Sequence, residues 1–401
     1  MNERLKVMHV ITGLNLGGAE TWLLRLLSRL PAERFDSHVV SLLDGGELSG
    51  AIRSLGVPVT SLGMGRGVPD PRGLVRLARL MRAQRPQVVQ TWLYHADLLG
   101  LLAARWSGCG AAVSWGLRCA YMDLARYGLG TRMTLSACVA LSGWPEAVTA
   151  NSQAGADHHL ALGYRPRRLV VLENGVDGGR FRPDVEARAR LRREWGLSQS
   201  TPLIGLVARV DPMKGHAVFC RAAAELSRTR PDARFLFCGE GTEPGAAELD
   251  ALIAQHGLAG SAVRLGRRED MAQVYAALDV LALPSLGEGF PNAVLEALSC
   301  AVPCACLDAG DARAMCGPGG LVAPPALSGP EATEADRAGY LSQALRELLR
   351  LSPAARAEMG RQGREHVLAR YGLEQAVERW AAHFESLAGG QKTLAGIGTI
   401  D

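Results

Sequence analysis

Lysine is almost missing from this chain. Among 44 basic residues in a total of 401, lysine occurs only at Lys6, Lys214 and Lys392. There is no lysine-rich run and no basic stretch interleaved with aromatics, and the formal charge is only +4, which argues against a nucleic-acid binder. No run of 18 apolar residues occurs, so no segment is predicted to span a membrane. The apolar stretch from Val7 to Leu16 ends in Gly17-Gly18-Ala19-Glu20 without a small-residue cleavage pattern, and reads as a buried strand and its loop rather than a signal peptide. Nine cysteines include no C-x-x-C pair and no Cys/His array at zinc spacing; Cys300, Cys304 and Cys306 are the closest group. They read as small buried apolar side chains in a reducing compartment, which points to the cytoplasm. The tripeptide D-x-D is absent as well.

What is present is a soluble, globular composition, 48% apolar and 21% charged. The length exceeds one core of ordinary size and predicts two domains of roughly 150 to 200 residues. Short apolar or β-branched runs alternate with stretches of helical period, the pattern of parallel sheets covered by helices. Predicted strands in the first half are Lys6–Ile11, Ser37–Leu42, Val57–Ser61, Val88–Trp92, Ala112–Trp115, Ala147–Ala150 and Leu169–Leu172. Those in the second half are Leu203–Ala208, Arg234–Cys238, Val263–Leu265, Val280–Pro284 and Val302–Cys306. The fold class is α/β, with two doubly wound modules.

Asn174 to Pro183 is punctuated by glycines and reads as the linker. The domains are then 1–180 and 195–372. A last helix near Glu374 to Leu387 has an apolar face of Ala376, Val377, Trp380, Ala381, Phe384 and Leu387 that needs a surface to cover. Residues 389–401 lack periodicity and read as a flexible tail.

Chemistry concentrates at the predicted strand ends. Gly17 and Gly18 follow the first strand and open a helix, so backbone N–H groups and the helix N-terminus suit an oxyanion there; a tight packing turn is the alternative. Arg209 and Lys214, in ARVDPMKG, lie just beyond Leu203–Ala208, and the Asp211-Pro212 turn would aim both cations at phosphate oxygens. A solvated basic turn is the alternative. Glu288 and Glu296, in GEGFPNAVLEAL, bracket a glycine turn that runs into a helix; both are acceptors for hydroxyl groups. Glu296 could equally be an ordinary helix-face glutamate, although its neighbours Ala293, Val294, Leu295, Ala297 and Leu298 are apolar. His95 opens the helix after Val88–Trp92, as a donor to a sugar hydroxyl or as a core histidine, and Arg118 stands at the next strand end. Together these groups suit a ligand with a diphosphate at its centre and hydroxyl-rich rings at its ends, a sugar nucleotide. The segment Pro71–Arg85 places Arg72, Arg76, Arg79, Arg82 and Arg85 around an apolar face, as a sheet-covering helix or as a surface that also attracts anionic lipid.

The stretches HVITGLNLGGAE, ENGVDGGRF, GLVARVDPMKG, FCGEG and GEGFPNAVLEAL occur in an order and at spacings that resemble the retaining glycosyltransferases of family 4, which have the GT-B fold. The last of them matches that family's E-x7-E element. The resemblance covers nearly the whole chain. It implies two Rossmann-like domains facing across a cleft, with the donor on the second, the acceptor on the first, and the C-terminal helix, 373–388, crossing back onto the first. By motif it implies Arg209 and Lys214 on the donor diphosphate and Glu296 on the ribose. It places Glu288, with the amides of Gly289, Phe290, Pro291 and Asn292, on the transferred sugar. Gly17 and Gly18 would close on the diphosphate, Gly239 and Gly241 of FCGEG would line the donor, and main chain around Val263 to Gly266, including Leu265, would meet the base. Glu288, His95, Arg209 and Lys214 are the catalytic candidates, and His95 and Arg118 the acceptor-side ones.

The chain departs from that family twice. Many members carry a histidine on the strand Ala112–Trp115, where this chain continues Gly116-Leu117-Arg118, and a glutamate usual after Asp308–Asp311 is replaced by Arg313-Ala314. The resemblance predicts a metal-independent hexosyltransferase with no cofactor. It would act by front-face substitution, moving sugar from a UDP-sugar to a glycan or lipid-linked acceptor in polysaccharide or glycoconjugate synthesis. The location would be cytoplasmic, peripheral to the inner face of a membrane. A catalytically weak sugar-nucleotide-binding partner subunit and a GT-B sugar-nucleotide epimerase are the competing expectations.

Overall fold

The structure, a computed structural model of the full chain, describes residues 4–65, 71–120, 128–329 and 331–389. The tail beyond Gly389 and the residues from Tyr121 to Asp123 lie outside them. Contacts divide the chain into two compact units, residues 1–175 with 374–401, and residues 176–373.

In the first unit, β1 (Leu5–Ile11), β2 (Phe35–Ser41), β3 (Val59–Ser61), β4 (Val88–Trp92), β5 (Ala112–Leu117), β6 (Ala147–Ala150) and β7 (Leu169–Val171) form one parallel sheet. The order is β3-β2-β1-β4-β5-β6-β7. In register, Val7 lies beside Val88 and Ile11 beside Trp92. Crossovers are made by α1 (Gly18–Leu27), α2 (Leu48–Ser54), α3 (Pro71–Gln84), α4 (Tyr94–Ser107), α5 (Leu129–Leu141) and α6 (Gln153–Ala161). Cover on both faces is why β4, β5 and β6 are buried almost along their whole length rather than at alternate residues. Leu77 and Met81 of α3 and Leu101 of α4 pack with Trp115 of β5 in one core layer.

The second unit holds β8 (Leu203–Val207), β9 (Arg234–Cys238), β10 (Ala262–Arg264), β11 (Val280–Leu283), β12 (Cys304–Cys306) and β13 (Gly320–Val322), all parallel. The order is β10-β9-β8-β11-β12-β13. Its helices are α7 (Val185–Glu194), α8 (His216–Ser227), α9 (Ala247–Gln255), α10 (Met271–Ala277), α11 (Asn292–Ser299), α12 (Ala312–Cys316), α13 (Glu334–Arg350) and α14 (Pro353–Tyr371). Both sheets run outward from a central first strand and reverse beside it, at β1/β4 and at β8/β11. The carboxyl edge at such a reversal is where open α/β sheets take ligands.

The stretch from Val176 to Pro183 is not a slack connector. Val176 is buried and bridges to the end of α14, its N–H donating to the Tyr371 carbonyl (2.8 Å) while its own carbonyl accepts from Leu373 (3.0 Å). Phe181 is buried edge-on against Tyr275. The boundary therefore falls at 175, and 176–194 belong to the second unit. There, fully buried Arg192 and its neighbour Arg188 converge on Asp279, each at 2.7 Å, and Asp279 also accepts from the Leu203 amide. Burial alone would raise the Asp279 carboxyl, but the two guanidiniums and the amide hold it below its ordinary value. Of the nine cysteines, seven are buried and Cys109 and Cys119 are half-buried; all are free thiols.

The final helix, α15 (Leu373–Ala388), belongs to the first unit apart from its first residue. Trp380 stacks on Trp92 (5.1 Å, 24°), and Phe384 meets His9 and Phe35 edge-on. Arg34 clasps Glu378 and Glu385 at 2.9 and 2.8 Å. His9 and His383 are fully buried in this seam, with Ser114 hydrogen bonded to the His383 Nε2.

Burial lowers both histidines from 6.5 to about 3, helped by His38 at His9 and by Arg168 at His383. Their neutral folded forms contribute stability that is fully present above the unfolded pKa of about 6.5 and is lost as pH falls toward 3. The unfolding free energy is therefore expected to fall between pH 6.5 and 4, by about 1.4 kcal/mol per pH unit per histidine, and the thermal midpoint with it. Asp97, raised to about 7 by burial, acts in the opposite direction over the same range. Thermal unfolding of the wild type and of His383→Gln across that range checks this: a slope that the substitution leaves unchanged would remove His383 from the cause.

Candidate functional site

In the second unit five loops meet at the carboxyl edge of the sheet, and glycines let them touch. Gly215, in the left-handed region (φ 68°), lies so close to the Pro284 carbonyl that a Cβ there would stand 2.0 Å from it. The Leu286 amide donates to the Met213 carbonyl at 2.9 Å. Gly310 (φ 59°) also packs closely on the carbonyls of Glu288 and Gly289, where a Cβ would stand 2.6 and 2.8 Å away. On the other side Gly239 sits on the Ala208 carbonyl and donates to Gly266, while Val210 donates to Glu240. Gly241 packs on Val210. The segments after β8, β9, β10, β11 and β12 thus form one connected rim.

At its centre Lys214 and Glu288 form a single ion pair. Lys214 Nζ donates to both carboxylate oxygens, at 2.7 and 2.8 Å, and Ser285 Oγ donates to Glu288 Oε1 at 2.7 Å. The side chains keep 23% and 11% of their exposure. Sequence spacing assigns the two to different parts of a ligand; the structure joins them. An ammonium has three N–H donors, so one is left for a phosphate oxygen, and the carboxylate retains a lone pair for a hydroxyl. Arg209 is more exposed, with 60% of its side chain open, and pairs with Asp211 at 3.0 Å. Asp211 also accepts from the Met213 amide, fixing the one-turn 3₁₀ helix Pro212–Lys214 that presents Lys214.

Glu296 is buried on α11, in contact with the Tyr275 hydroxyl. Burial, and then the neighbouring Glu296 carboxylate, push the Tyr275 phenol well above its ordinary value, so it is a neutral donor. The amides on offer are fewer than the motif implies. Pro291 has no N–H and Asn292 donates to the Phe290 carbonyl (2.9 Å), which leaves those of Gly289 and Phe290. The Phe290 ring is buried edge-on against Tyr371 and serves as an anchor. The Leu265 amide is taken by Phe237. Arg313 clamps Asp308 and the Ala323 carbonyl between β12 and β13. Ser285, Tyr275 and buried His216, at the start of α8, are not singled out by sequence spacing; Ser285 and His216 lie within three residues of Glu288 and Lys214, whereas Tyr275 has no motif residue that close in sequence.

In the first unit Gly17 caps α1 and Gly18 is its first residue, with the Glu20 carboxylate folded back over Gly17. His95 stands half-buried in the first turn of α4, and burial lowers its pKa from the ordinary value. The turn before it is strained: Leu93 adopts φ 75°, ψ 152°, a region essentially confined to glycine and costing about 1–3 kcal/mol. Its neighbours hold it there. The Leu93 amide donates to the Gly116 carbonyl, the Gly116 amide donates to buried Asp97, and Thr91 donates to the same carboxyl oxygen. The Tyr94 hydroxyl donates to His159 Nε2 (2.6 Å), which is the acceptor because Nδ1 faces the Gly155 carbonyl. Arg118 lies at the end of β5, beside Trp92 and Trp380. Among the described residues no three His, Cys, Asp or Glu side chains gather as a metal site.

A family model described as "Glycosyltransferase Family 4" matches residues 16–180, and one described as "Glycosyl transferases group 1" matches 201–350. The UDP-Gal:alpha-D-GlcNAc-diphosphoundecaprenol alpha-1,3-galactosyltransferase of Escherichia coli is 25% identical over 308 residues, 76% of this chain and 79% of the relative. The 2-deoxystreptamine glucosyltransferase of Streptomyces kanamyceticus is 30% identical over 234 residues, 58% of each. HepE of Anabaena in complex with UDP-glucose superposes with a TM-score of 0.79 at 20% identity, over 96% of this chain and all of that one, a likeness of fold. With one matching model on each unit, in the order that the motifs predict, the chain belongs to glycosyltransferase family 4 and has the GT-B fold.

Proposed function

We propose that this chain is a retaining, metal-independent hexosyltransferase that takes a sugar from a UDP-sugar and passes it to a phosphate-bearing lipid-linked or glycan acceptor. The observation that carries the donor half is the Lys214–Glu288–Ser285 centre, set beside buried Glu296 on the ligand-binding edge of a Rossmann-order sheet. Lys214 and Arg209 offset the diphosphate charge, Glu296 with Tyr275 takes the ribose hydroxyls, and Glu288 with the Gly289 and Phe290 amides holds the transferred sugar. Cations and main-chain donors then do the work of a divalent ion. UDP is supported by the UDP-glucose complex of the structural neighbour and by the donor named for the Escherichia coli relative, whose acceptor is a diphosphoundecaprenol derivative. His95 and Arg118, on the edge of the first unit, are the acceptor-side groups. The leaving phosphate oxygen assists in taking the acceptor proton.

The reading is tested by incubating the full chain in excess EDTA with a panel of UDP- and GDP-sugars, following nucleotide release with and without lipid and glycan extracts. UDP release that requires an extract supports it. Release or isomerisation without an acceptor favours an epimerase, and binding without turnover favours a partner subunit. Activity lost on chelation and restored by magnesium or manganese overturns metal independence.

A location at a membrane surface is part of the same reading. No helix among the described residues is long and apolar enough to cross a bilayer. Exposed Arg72, Arg76 and Arg79 of α3 lie on a helix packed beside α4, which exposes Trp106 (56%), and α5 and its following turn expose Met133 (70%) and Trp144 (49%). Basic and aromatic residues so placed suit anionic headgroups, at about 1 kcal/mol per arginine. Salt-sensitive binding to phosphatidylglycerol vesicles is expected, weakened at least tenfold when the three arginines become glutamine. Equal co-sedimentation of the two proteins, or none by either, would reduce α3 to scaffold.

A further inference from the structure

We infer that Arg118 binds a phosphoryl group of the acceptor through the Nε/Nη2 edge of its guanidinium. The side chain is held in place from behind. Its guanidinium carbon lies 4.5 Å from the Trp92 ring centre and 5.7 Å from that of Trp380, and the two indoles are fully buried and stacked on each other. The rings fix the orientation of the guanidinium and exclude water from it. Burial brings its pKa down to about 9, so it remains a cation at neutral pH.

The edge so fixed holds nothing. Nε and Nη2 are buried and neither has a hydrogen-bond acceptor among the described residues. Those two donors point side by side and form the fork that takes two oxygens of a carboxylate or phosphate. At three other arginines the same edge is filled. Arg230 sets it on Asp232 (2.9 and 2.9 Å), Arg268 on Asp270 (2.8 and 2.7 Å), and Arg313 on Asp308 (3.0 and 2.9 Å). Arg379, also without a hydrogen bond on that edge, still faces the Glu173 carboxylate at 3.9 Å. Among the described residues Arg118 has no carboxylate at that range; Glu20 and Asp97 act on it only through longer-range attraction.

Nor is Arg118 in a neutral place. It follows β5 at the carboxyl edge of the first sheet, next along that edge from the strained turn that presents His95, and α1 opens after β1 on the same edge. Two unmet donors of a buried cation, at the end of the strand that neighbours the one preceding His95, match a doubly charged oxyanion brought by the acceptor. The choice of phosphoryl over carboxylate rests on the acceptor class proposed above.

The test uses the full chain saturated with UDP, so that the rim of the second unit is filled, and follows arginine ¹H–¹⁵Nε resonances while inorganic phosphate is added. One buried Nε–H signal, missing from Arg118→Lys and Arg118→Gln, is expected to shift saturably with phosphate, and acetate to leave it in place. Calorimetry on the same samples is expected to show phosphate affinity at least tenfold weaker in both variants and UDP affinity unchanged. No saturable arginine shift in the wild type, a shift that survives in both variants, or an equal response to acetate overturns the inference. Absence of UDP binding in those samples would instead sink the donor reading, so the two failures are told apart.

Discussion

Replacing Lys214 with alanine is expected to lower kcat/KM for the sugar nucleotide by at least a hundredfold, and adding Glu288→Ala to that variant to cost little more. The reason lies in the pairing. Lys214 Nζ already spans both oxygens of Glu288, so its removal takes away a phosphate donor, worth about 1.5–3 kcal/mol, and also strands a carboxylate that is mostly buried. Breaking such a pair by removing one partner costs about 3–5 kcal/mol when burial is complete, less at the exposure seen here. Residues that act as a unit are far from additive. A double-mutant cycle on kcat/KM, with unfolding midpoints as the control for folding, reads this directly. Losses that multiply in the double variant would show that the two side chains serve the ligand separately.

Trp380→Ala should have the largest effect on stability, about 3–5 kcal/mol, the usual cost of emptying a fully buried aromatic site. Its ring covers Trp92, touches Phe384 and supports Arg118, so one truncation loosens α15 from β1, β4 and β5 together. Urea unfolding measures it. A change under 1 kcal/mol would mean that α15 is an appendage to the first unit rather than part of its core.

That α15 would find a surface could be read from its apolar face, because a stripe at helical spacing must be buried somewhere. The same logic makes twelve of the thirteen strands legible as apolar runs. The missing one, Gly320–Val322, is three residues long, starts at a glycine and follows Gly317-Pro318-Gly319; such a run has too little pattern to separate from a turn. The stretch after Asn174 misleads for the opposite reason. Its glycines and charges read as linker, while two isolated apolar residues, Val176 and Phe181, tie it to the second unit.

At the site, sequence spacing marks which residues carry chemistry but not whom they meet. Lys214 and Glu288 stand 74 positions apart, and their contact depends on β8 and β11 being neighbours and on the close approach of Gly215 to Pro284. Tyr275 comes to Glu296 from a different helix, and the guanidinium of Arg118 is held by Trp92 of β4 and Trp380 of α15, which are far apart in sequence. Long-range pairing of this kind leaves no local period in the sequence.

On the proposed reading the carboxyl edge of the second sheet takes a nucleoside diphosphate, with Glu296 on the ribose hydroxyls. Calorimetric titration of UDP into the wild type and into Glu296→Ala, both in excess EDTA, tests it most directly. Saturable binding by the wild type, weakened roughly tenfold or more in the variant through lost charged hydrogen bonds to ribose, is the predicted result. No UDP binding by the wild type, or equal affinity in the two proteins, would contradict it.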